Sequence, residues 1–372
     1  MDRHSHLEGR HEPTLRQVVI DELRVADLPR TLRQDLRDLY SFYLTEERRE
    51  ELASMGTLKG IFWFWGWLLK SLLMKLSPTR RLLLLVALAL LIWGEWAVRM
   101  GSVQLVIYTR VAGVFLILFV LMLELKDKLL ATDEIEVARQ VQLALLPRQH
   151  PQPAGWSVWS HTRPANEVGG DLVDYIDLGN GRLGVALGDV AGKGLGAALL
   201  MAKLQATLRA MALDCSSLAD LGERLNVVLL RDGLDNRYST LFYLQMSDDA
   251  GSLRYLNAGH NPPYLLLGDR IEDLKASCPP LGMMAGARFA EGHLELQPGE
   301  SLIAYSDGVT EARDSRDEEF GAARLRALLP GLRGLPAPRA GQILLAEIER
   351  FLGETRPHDD LSLVVLTRHG PA

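Results

Sequence analysis

The chain has 372 residues, of which 48% are apolar, and its 41 basic and 47 acidic side chains give a net charge of −6. This length predicts two or three domains, and the composition excludes a wholly disordered chain. A nucleic-acid-binding protein usually concentrates positive charge, so the net acidity argues against nucleic acid as a partner. Two cysteines, Cys215 and Cys278, are too few for a disulfide framework or a thiolate metal cluster.

Residues 1–56 form a strongly charged region at the start of the chain. Short polar helices are predicted there, over 15–28 and 32–43, and the pattern indicates no particular chemistry. The many charges argue against a cleavable signal peptide, which needs an uninterrupted apolar segment. We therefore expect a helical N-terminal region on the cytoplasmic side.

Residues 57–123 differ in charge and hydropathy from the rest of the chain. They contain seven basic side chains and one acidic side chain, Glu95, a balance of +6. Two apolar stretches, 82–98 and 103–123, each approach the ~20 residues that a membrane-spanning helix needs. The short connection between them predicts a helical hairpin, which would place both ends of the chain on the same side of a membrane.

Charged and aromatic residues around this hairpin predict its orientation. Lysines and arginines flank it on both sides, which favours the cytoplasm for the two chain ends. The Trp-rich stretch 61–76 is expected to be a helix lying at the membrane surface rather than a third span. These features predict a multi-pass protein of the bacterial inner membrane with its catalytic domain in the cytoplasm. The alternative is a pair of buried helices in a soluble domain.

Residues 124–147 form a predicted helical linker that ends at Pro147. Five of its residues are spaced four, three, four and three apart, as in the seam of a coiled coil: Ala131, Ile135, Ala138, Gln142 and Leu145. This spacing is compatible with a homodimer formed through the linker. An amphipathic helix that packs on the following domain explains the spacing equally well.

Residues 155–367 show the short apolar runs that are typical of β-strands. The predicted strands are 183–187, 240–244, 253–256, 264–267, 302–305 and 361–366. Helical patterns occupy 195–213, 218–229, 322–329 and 340–352. Many strands with helices inserted in groups predict an α+β domain with largely antiparallel sheets.

Acidic residues recur where the predicted strands begin or end. Asp189 and Asp307 each follow a strand, Asp359 and Asp360 precede the last strand, and Asp171 follows two glycines. Carboxylates that meet at one edge of a sheet suit hard cations such as Mg²⁺ and Mn²⁺. Two such ions can activate a water and stabilise both the attacking and the leaving oxygen of phosphoryl transfer. A single Asp-Gly pair is usually a turn, so the prediction depends on the recurrence.

Five motifs occur in a fixed order: EVGGDLVDY at 167–175, GDVAGKG at 188–194, LNAGHNPP at 256–263, AYSDGVTE at 304–311 and DDLSLVVL at 359–366. In this order they resemble the SpoIIE/RsbU branch of the metal-dependent (PPM, type 2C-like) serine/threonine protein phosphatases. The resemblance covers residues 134–367, including the helix before the domain. It implies a β-sandwich flanked by helices, an α-β-β-α arrangement, with two Mn²⁺ or Mg²⁺ ions at one end.

The resemblance also implies roles for individual residues. Asp189 resembles the aspartate that bridges the two metal ions, and the Val190 backbone carbonyl resembles a further ligand. Asp307 and Asp359 look like the remaining metal aspartates. Asp171 looks like a ligand of a metal ion or of a metal-bound water.

Other polar residues in the motifs have weaker assignments. Asp360 stands beside Asp359 where eukaryotic relatives usually carry Asn, and it is a further candidate metal ligand. No residue clearly corresponds to the arginine that binds phosphate in many relatives, although Arg163 is a weak candidate. The Gly-Lys-Gly sequence around Lys193 lacks the full pattern of a phosphate-binding loop. It predicts instead that the chain packs closely before a helix. His260 is expected to fix a turn rather than to act as a general acid.

The predicted function is hydrolysis of phosphoserine or phosphothreonine in a partner protein by a metal-activated water. In the family that the chain resembles, the substrate is commonly a phosphorylated STAS-domain anti-sigma-factor antagonist, which implies a role in sigma factor regulation. One alternative is a nucleotide cyclase, because Gly169-Gly170-Asp171 resembles the start of a GGDEF motif, although Leu172 and Val173 replace its Glu and Phe. The other is a catalytically inactive signalling module, which the presence of all the acidic residues disfavours.

Overall fold

The computed structural model describes residues 48, 51–52, 55 and 57–369, apart from 94, 101–102, 148, 234–236, 247–250 and 277. The helices predicted over 15–28 and 32–43 lie outside these residues. The chain divides into two compact units, residues 1–128 and 129–372.

The first unit contains helices and one small sheet. Its elements are α1 (Thr57–Lys75), α2 (Pro78–Trp93), β1 (Glu95–Met100), β2 (Val103–Tyr108) and the first half of α3 (Thr109–Leu145). The helix predicted over 61–76 lies almost entirely within α1. Near the start of α2, the Arg80 guanidinium binds the carboxylates of Glu124 and Asp127 on α3.

The predicted membrane hairpin is wrong. The residues that were expected to complete the first span and begin the second form an antiparallel pair of strands, in which Met100 pairs with Val103. This segment is rich in β-branched residues, which favour strands over helices. α2 has 16 residues and is therefore about 24 Å long, less than the ~30 Å of a bilayer core. The apolar part of α3 ends at Glu124, where charged residues begin.

Helices of the described residues are all too short or too polar to cross a membrane. The prediction of a multi-pass protein of the bacterial inner membrane is therefore wrong.

The second unit is built on two antiparallel five-stranded sheets. The first sheet has the order β10-β7-β6-β5-β4, and the second has the order β3-β12-β11-β8-β9. The strands are β3 (Trp156–Arg163), β4 (Leu172–Asp177), β5 (Leu183–Val190), β6 (Ser239–Met246), β7 (Ser252–Ala258), β8 (Tyr264–Leu267), β9 (Arg270–Asp273), β10 (Gly292–Glu295), β11 (Ser301–Tyr305) and β12 (Leu361–Arg368).

Helices cover the outer faces of both sheets. They are α4 (Leu195–Ala212), α5 (Leu218–Asp232), the short α6 (Asp307–Thr310), α7 (Gly321–Leu328) and α8 (Ala337–Leu352), with a 3-10 turn at Leu329–Leu332. Leu204 of α4 and Leu225 of α5 lie in a core shared with the first sheet. Leu344 of α8 lies in a second core shared with the other sheet.

A third core lies between the two sheets. Val185 and Phe242 from the first sheet are buried there together with Leu302 and Val364 from the second. The layers are therefore helix, sheet, sheet and helix, which confirms the predicted α+β sandwich. Burial of these apolar side chains is the main stabilising contribution to such a domain.

Candidate metal centre

The first sheet brings two of the predicted acidic residues together at one end. Asp171 immediately precedes β4, and Asp189 is the second-last residue of the neighbouring strand β5. Leu172 pairs with Gly188 across these antiparallel strands, so Asp171 and Asp189 occupy adjacent positions in the register. The Ser239 hydroxyl donates to the Asp189 carbonyl at 3.0 Å, which fixes the end of β5 against β6.

The second sheet contributes the other acidic residues. Asp307 follows β11 and begins the short helix α6, whereas Asp359 and Asp360 immediately precede β12. The two strands are antiparallel neighbours, with Tyr305 opposite Leu363. Gly308 allows the two segments to touch, because a Cβ atom at this position would lie 2.1 Å from the Asp360 carbonyl oxygen.

The carboxylates of the two sheets lie close enough to affect each other's ionisation. The pKa of Asp189 is raised to about 7, chiefly by burial and then by the negative charges of Asp307, Asp359 and Asp360. Burial and the charge of Asp359 also raise the pKa of Asp307. The ends of both sheets therefore form one strongly acidic site.

Asp171 is the most deeply buried of these residues, with 4% of its surface exposed. Burial raises its pKa well above the usual range, and the charge of Asp189 adds to this effect. Its Oδ2 atom is buried and lacks a hydrogen-bond partner among the described residues. A buried carboxylate oxygen of this kind is costly unless a proton or a cation neutralises it.

Asp360 uses its carboxylate differently from its neighbours. Oδ1 accepts the Ala165 backbone N–H at 2.8 Å, and Oδ2 accepts the Gly170 backbone N–H at 2.5 Å. A Cβ atom at Gly169 would lie 2.5 Å from Oδ2, so glycine is needed for this approach. Asp360 thus holds the loop before Asp171 against the start of β12.

Asp359 forms an ion pair that sequence reasoning missed. The Lys193 ammonium lies 2.8 Å from Asp359 Oδ2, and it also donates to the His358 carbonyl at 2.6 Å. The sequence pattern around Lys193 predicts only close packing before α4. Its position within the Asp189 motif is the only signal in the sequence, because nothing local indicates a partner 166 positions away.

A cavity of about 160 Å³ lies beside Asp171, between the end of α3 and the loop that precedes β4. Arg163 lines this cavity together with Glu167 and Asp360. The Arg163 guanidinium forms an ion pair with Glu349 at 3.3 Å. The weak phosphate-binding candidate of the sequence therefore lies next to the acidic site.

His260 is buried away from solvent, and its Nδ1 atom lies 2.8 Å from the Thr240 hydroxyl. The Asn257 side chain accepts the His260 backbone N–H, which stabilises the turn after β7. Burial lowers the pKa of His260 to about 4. A neutral imidazole in this environment suits the predicted structural role.

The site fits hard divalent cations by its chemistry. Its donors are carboxylate oxygens, together with the Val190 carbonyl, which lies against Gly170, and such oxygen ligands suit Mg²⁺ and Mn²⁺. The unpartnered Asp171 oxygen supplies a specific reason for a cation here. Within the described residues, however, no three Asp, Glu, His or Cys side chains are already arranged as a metal-binding group. The Lys193 ammonium lies against one of these carboxylates, that of Asp359.

Residues 179–369, more than half of the chain, match the sequence model of the family described as Stage II sporulation protein E (SpoIIE). Protein IcfG of Synechocystis is 34% identical over 224 residues, which cover 53% of this chain and 35% of IcfG. Phosphoserine phosphatase RsbU of Bacillus subtilis is 26% identical over 238 residues, which cover 63% of this chain and 70% of RsbU. The chain thus spans only about a third of the length of IcfG.

The fold also resembles that of solved structures. The SiaA-PP2C domain of Pseudomonas aeruginosa superposes with a TM-score of 0.57 at 19% identity. The aligned region covers 66% of this chain and 99% of that domain. At this level of identity the likeness concerns the fold, and it agrees with the two-sheet sandwich described above.

Proposed function

Because the chain belongs to the SpoIIE family, we propose that it is a metal-dependent phosphoprotein phosphatase that hydrolyses phosphoserine or phosphothreonine in a partner protein. The observation that carries this proposal is the meeting of Asp171 and Asp189 from one sheet with Asp307 and Asp359 from the other. The match to the SpoIIE family and to phosphoserine phosphatase RsbU supports a phosphatase rather than a nucleotide cyclase.

Two Mn²⁺ or Mg²⁺ ions are the proposed cofactors. When bound, they would lower the pKa of a shared water and neutralise negative charge on the phosphate. Asp189 is proposed to bridge them, with Asp307 and Asp359 as further ligands. The Val190 carbonyl is proposed to complete the set.

Two aspartates are proposed to act beside this set. Asp171 would bind a metal ion or hold a metal-bound water, since one of its oxygens is buried without a partner. Asp360 already uses both carboxylate oxygens for backbone N–H groups, so its proposed contribution is to hold the neighbouring loop. It would act as a metal ligand only if these bonds were released.

Protein side chains are proposed to supply the rest of the chemistry. Each aspartate must lose its proton before it binds a cation, and the raised pKa of Asp189 makes this step dependent on pH near neutrality. Arg163 would orient the substrate phosphate from the neighbouring cavity, where its Nε atom is buried without a hydrogen-bond partner among the described residues. His260 would remain neutral.

The proposed substrate is a phosphorylated STAS-domain anti-sigma-factor antagonist, which would give the protein a role in sigma factor regulation. A homodimer through α3 is a further proposal. Gln142 is buried, so the dimer seam would have to use the upstream residues Ala131, Ile135 and Ala138.

Phosphate release from a phosphoserine-containing STAS-domain protein tests the proposed function. The full chain should release phosphate with Mn²⁺, lose this activity with a chelator and regain it when the metal is restored. Incubation with GTP in parallel tests the cyclase alternative. Chelator-resistant phosphate release, or cyclic nucleotide formation without phosphate release, would overturn the proposal.

A further inference from the structure

Gln142 connects the end of α3 to the loop beside the acidic site. Its side chain is 7% exposed, and both polar atoms of its amide bind the backbone of one residue. Nε2 donates to the Gly169 carbonyl at 2.7 Å, and Oε1 accepts the Gly169 N–H at 3.0 Å. The amide therefore pairs both the backbone N–H and the backbone C=O of Gly169.

The same loop is also held by Asp360, which immediately precedes β12. Gly170, the next residue, donates its N–H to the Asp360 carboxylate. Gln142 at the end of α3 and Asp360 before β12 therefore bind two consecutive glycines. Asp171 follows directly and carries the buried carboxylate oxygen that lacks a partner. Any movement of the two glycines would move Asp171.

Gln142 pairs two backbone groups that are buried with it. Burying an amide is favourable only when its hydrogen bonds are made, and an apolar side chain in the same space would leave the Gly169 N–H and C=O without these partners. Gln142 therefore holds the backbone on both sides of Gly169, through its N–H and through its C=O. Two directional bonds specify a position more tightly than apolar contact does.

We propose that Gln142 is a positioning residue for Asp171. It holds the Gly169–Gly170 segment so that the Asp171 carboxylate stays in place for a divalent cation or its bound water. The inference rests on the proposed metal-dependent function and extends it to a residue outside the two sheets. Groups that orient metal ligands in this indirect way commonly change metal affinity by 10-fold to 100-fold.

Gln205 of α4 provides a control that contacts the same end of α3. It is a second buried glutamine, and its Nε2 atom donates to the Leu145 carbonyl at 2.9 Å. It therefore also anchors the last turn of α3, but to α4 rather than to the loop of Asp171. Replacing each glutamine by methionine removes one buried amide of the same size.

The experiment compares full-length wild type, Gln142→Met and Gln205→Met by calorimetric titration with Mn²⁺, by melting temperature and by steady-state hydrolysis. Gln142→Met should bind Mn²⁺ roughly tenfold more weakly and lower kcat while KM for the phosphoprotein stays the same. Gln205→Met should lower the melting temperature without changing Mn²⁺ affinity. Gln142→Asn, which keeps the amide but withdraws it by one methylene, should weaken Mn²⁺ binding in the same direction and provides the comparison if Gln142→Met does not fold.

Wild-type Mn²⁺ affinity in both Gln142 variants would overturn the inference. An equal loss of Mn²⁺ affinity in Gln142→Met and Gln205→Met would also overturn it, because the effect would then come from anchoring α3 in general. If wild type itself neither binds Mn²⁺ nor releases phosphate, the proposed function fails instead, so the two failures are distinguishable.

Discussion

The Lys193 ammonium lies 2.8 Å from the carboxylate of Asp359, and both residues belong to loops at the acidic end of the sandwich. The Lys193 ammonium would therefore compete with a divalent cation for the Asp359 carboxylate. Replacing Lys193 by methionine should strengthen Mn²⁺ binding about two-fold to tenfold, because a competing and repelling cation is removed. The side chain is 55% exposed, so solvent screening keeps the effect modest. Calorimetric titration measures it.

Lys203→Met is the control for this prediction. Lys203 donates to the Asp232 carbonyl at 2.7 Å and lies 3.8 Å from the Asp232 carboxylate on α5. Its removal should leave Mn²⁺ affinity unchanged. Weaker Mn²⁺ binding in Lys193→Met would contradict the competition and would indicate that Lys193 supports the bound metal.

Asp307→Asn should reduce phosphate release at least a hundredfold, since one proposed metal ligand is lost. The free energy of unfolding without metal should stay the same or rise. Burial and the charge of Asp359 raise the pKa of Asp307, so a neutral side chain relieves repulsion. Hydrolysis rates and urea unfolding measure the two effects.

Asp269→Asn, an exposed change at the turn between β8 and β9, is the matched control and should affect neither quantity. An active Asp307→Asn enzyme would refute the role of Asp307. A variant that is inactive because it has lost stability would instead indicate a structural role.

His260 should stay neutral between pH 8 and pH 5, because burial lowers its pKa to about 4 in the folded protein. The unfolded chain should titrate near 6.5, so the folded state binds fewer protons between these values. Neutral His260 therefore contributes fully to the free energy of unfolding above pH 6.5. As the pH falls towards 4, this contribution is lost and the free energy of unfolding decreases by roughly 3 kcal/mol. NMR titration of the imidazole tests this directly. A folded-state midpoint near 6.5 would contradict the assignment and would reopen a general-acid role.

Arg209→Met should lower the free energy of unfolding by about 2–3 kcal/mol, because it leaves the buried carboxylate of Asp174 without its partner. Two bonds of 2.7 Å join these side chains, and Asp174 is 1% exposed whereas Arg209 is 47% exposed. Arg231→Met removes a similar two-bond pair with Asp232 at the surface and should cost less than about 1 kcal/mol. Denaturant unfolding compares them. An equal decrease in the free energy of unfolding of Arg209→Met and Arg231→Met would contradict the importance of burial.

The phosphatase fold could be predicted from the sequence more completely than the region before it. All six predicted strands and four predicted helices of the second unit are present, because their apolar periodicity reflects which face is buried. β3 and β4 were missed. β3 mixes Ser, His and Thr with tryptophans, and β4 contains two acids, so neither forms a plain apolar run. β9 and β10 are four residues long and mostly exposed, which leaves little pattern to detect.

The membrane prediction failed because hydropathy alone does not distinguish a helix from a strand. Val103–Tyr108 is apolar enough to extend a helix in a sequence window, yet it pairs with Glu95–Met100 as a hairpin.

Acidic residues at strand ends could be found from local patterns. The bond of Gln142 to Gly169 and the ion pair of Lys193 with Asp359 depend on tertiary contacts, so no local pattern predicts them.

Titration of the full chain with Mn²⁺ in a calorimeter, with wild type beside Asp189→Asn, tests the central claim most directly. Asp189 is the proposed bridge between the two ions, so we expect two Mn²⁺ per wild-type chain and a loss of binding in the variant. Binding of Mn²⁺ by Asp189→Asn with unchanged stoichiometry and affinity would contradict the metal centre proposed at this end of the two sheets.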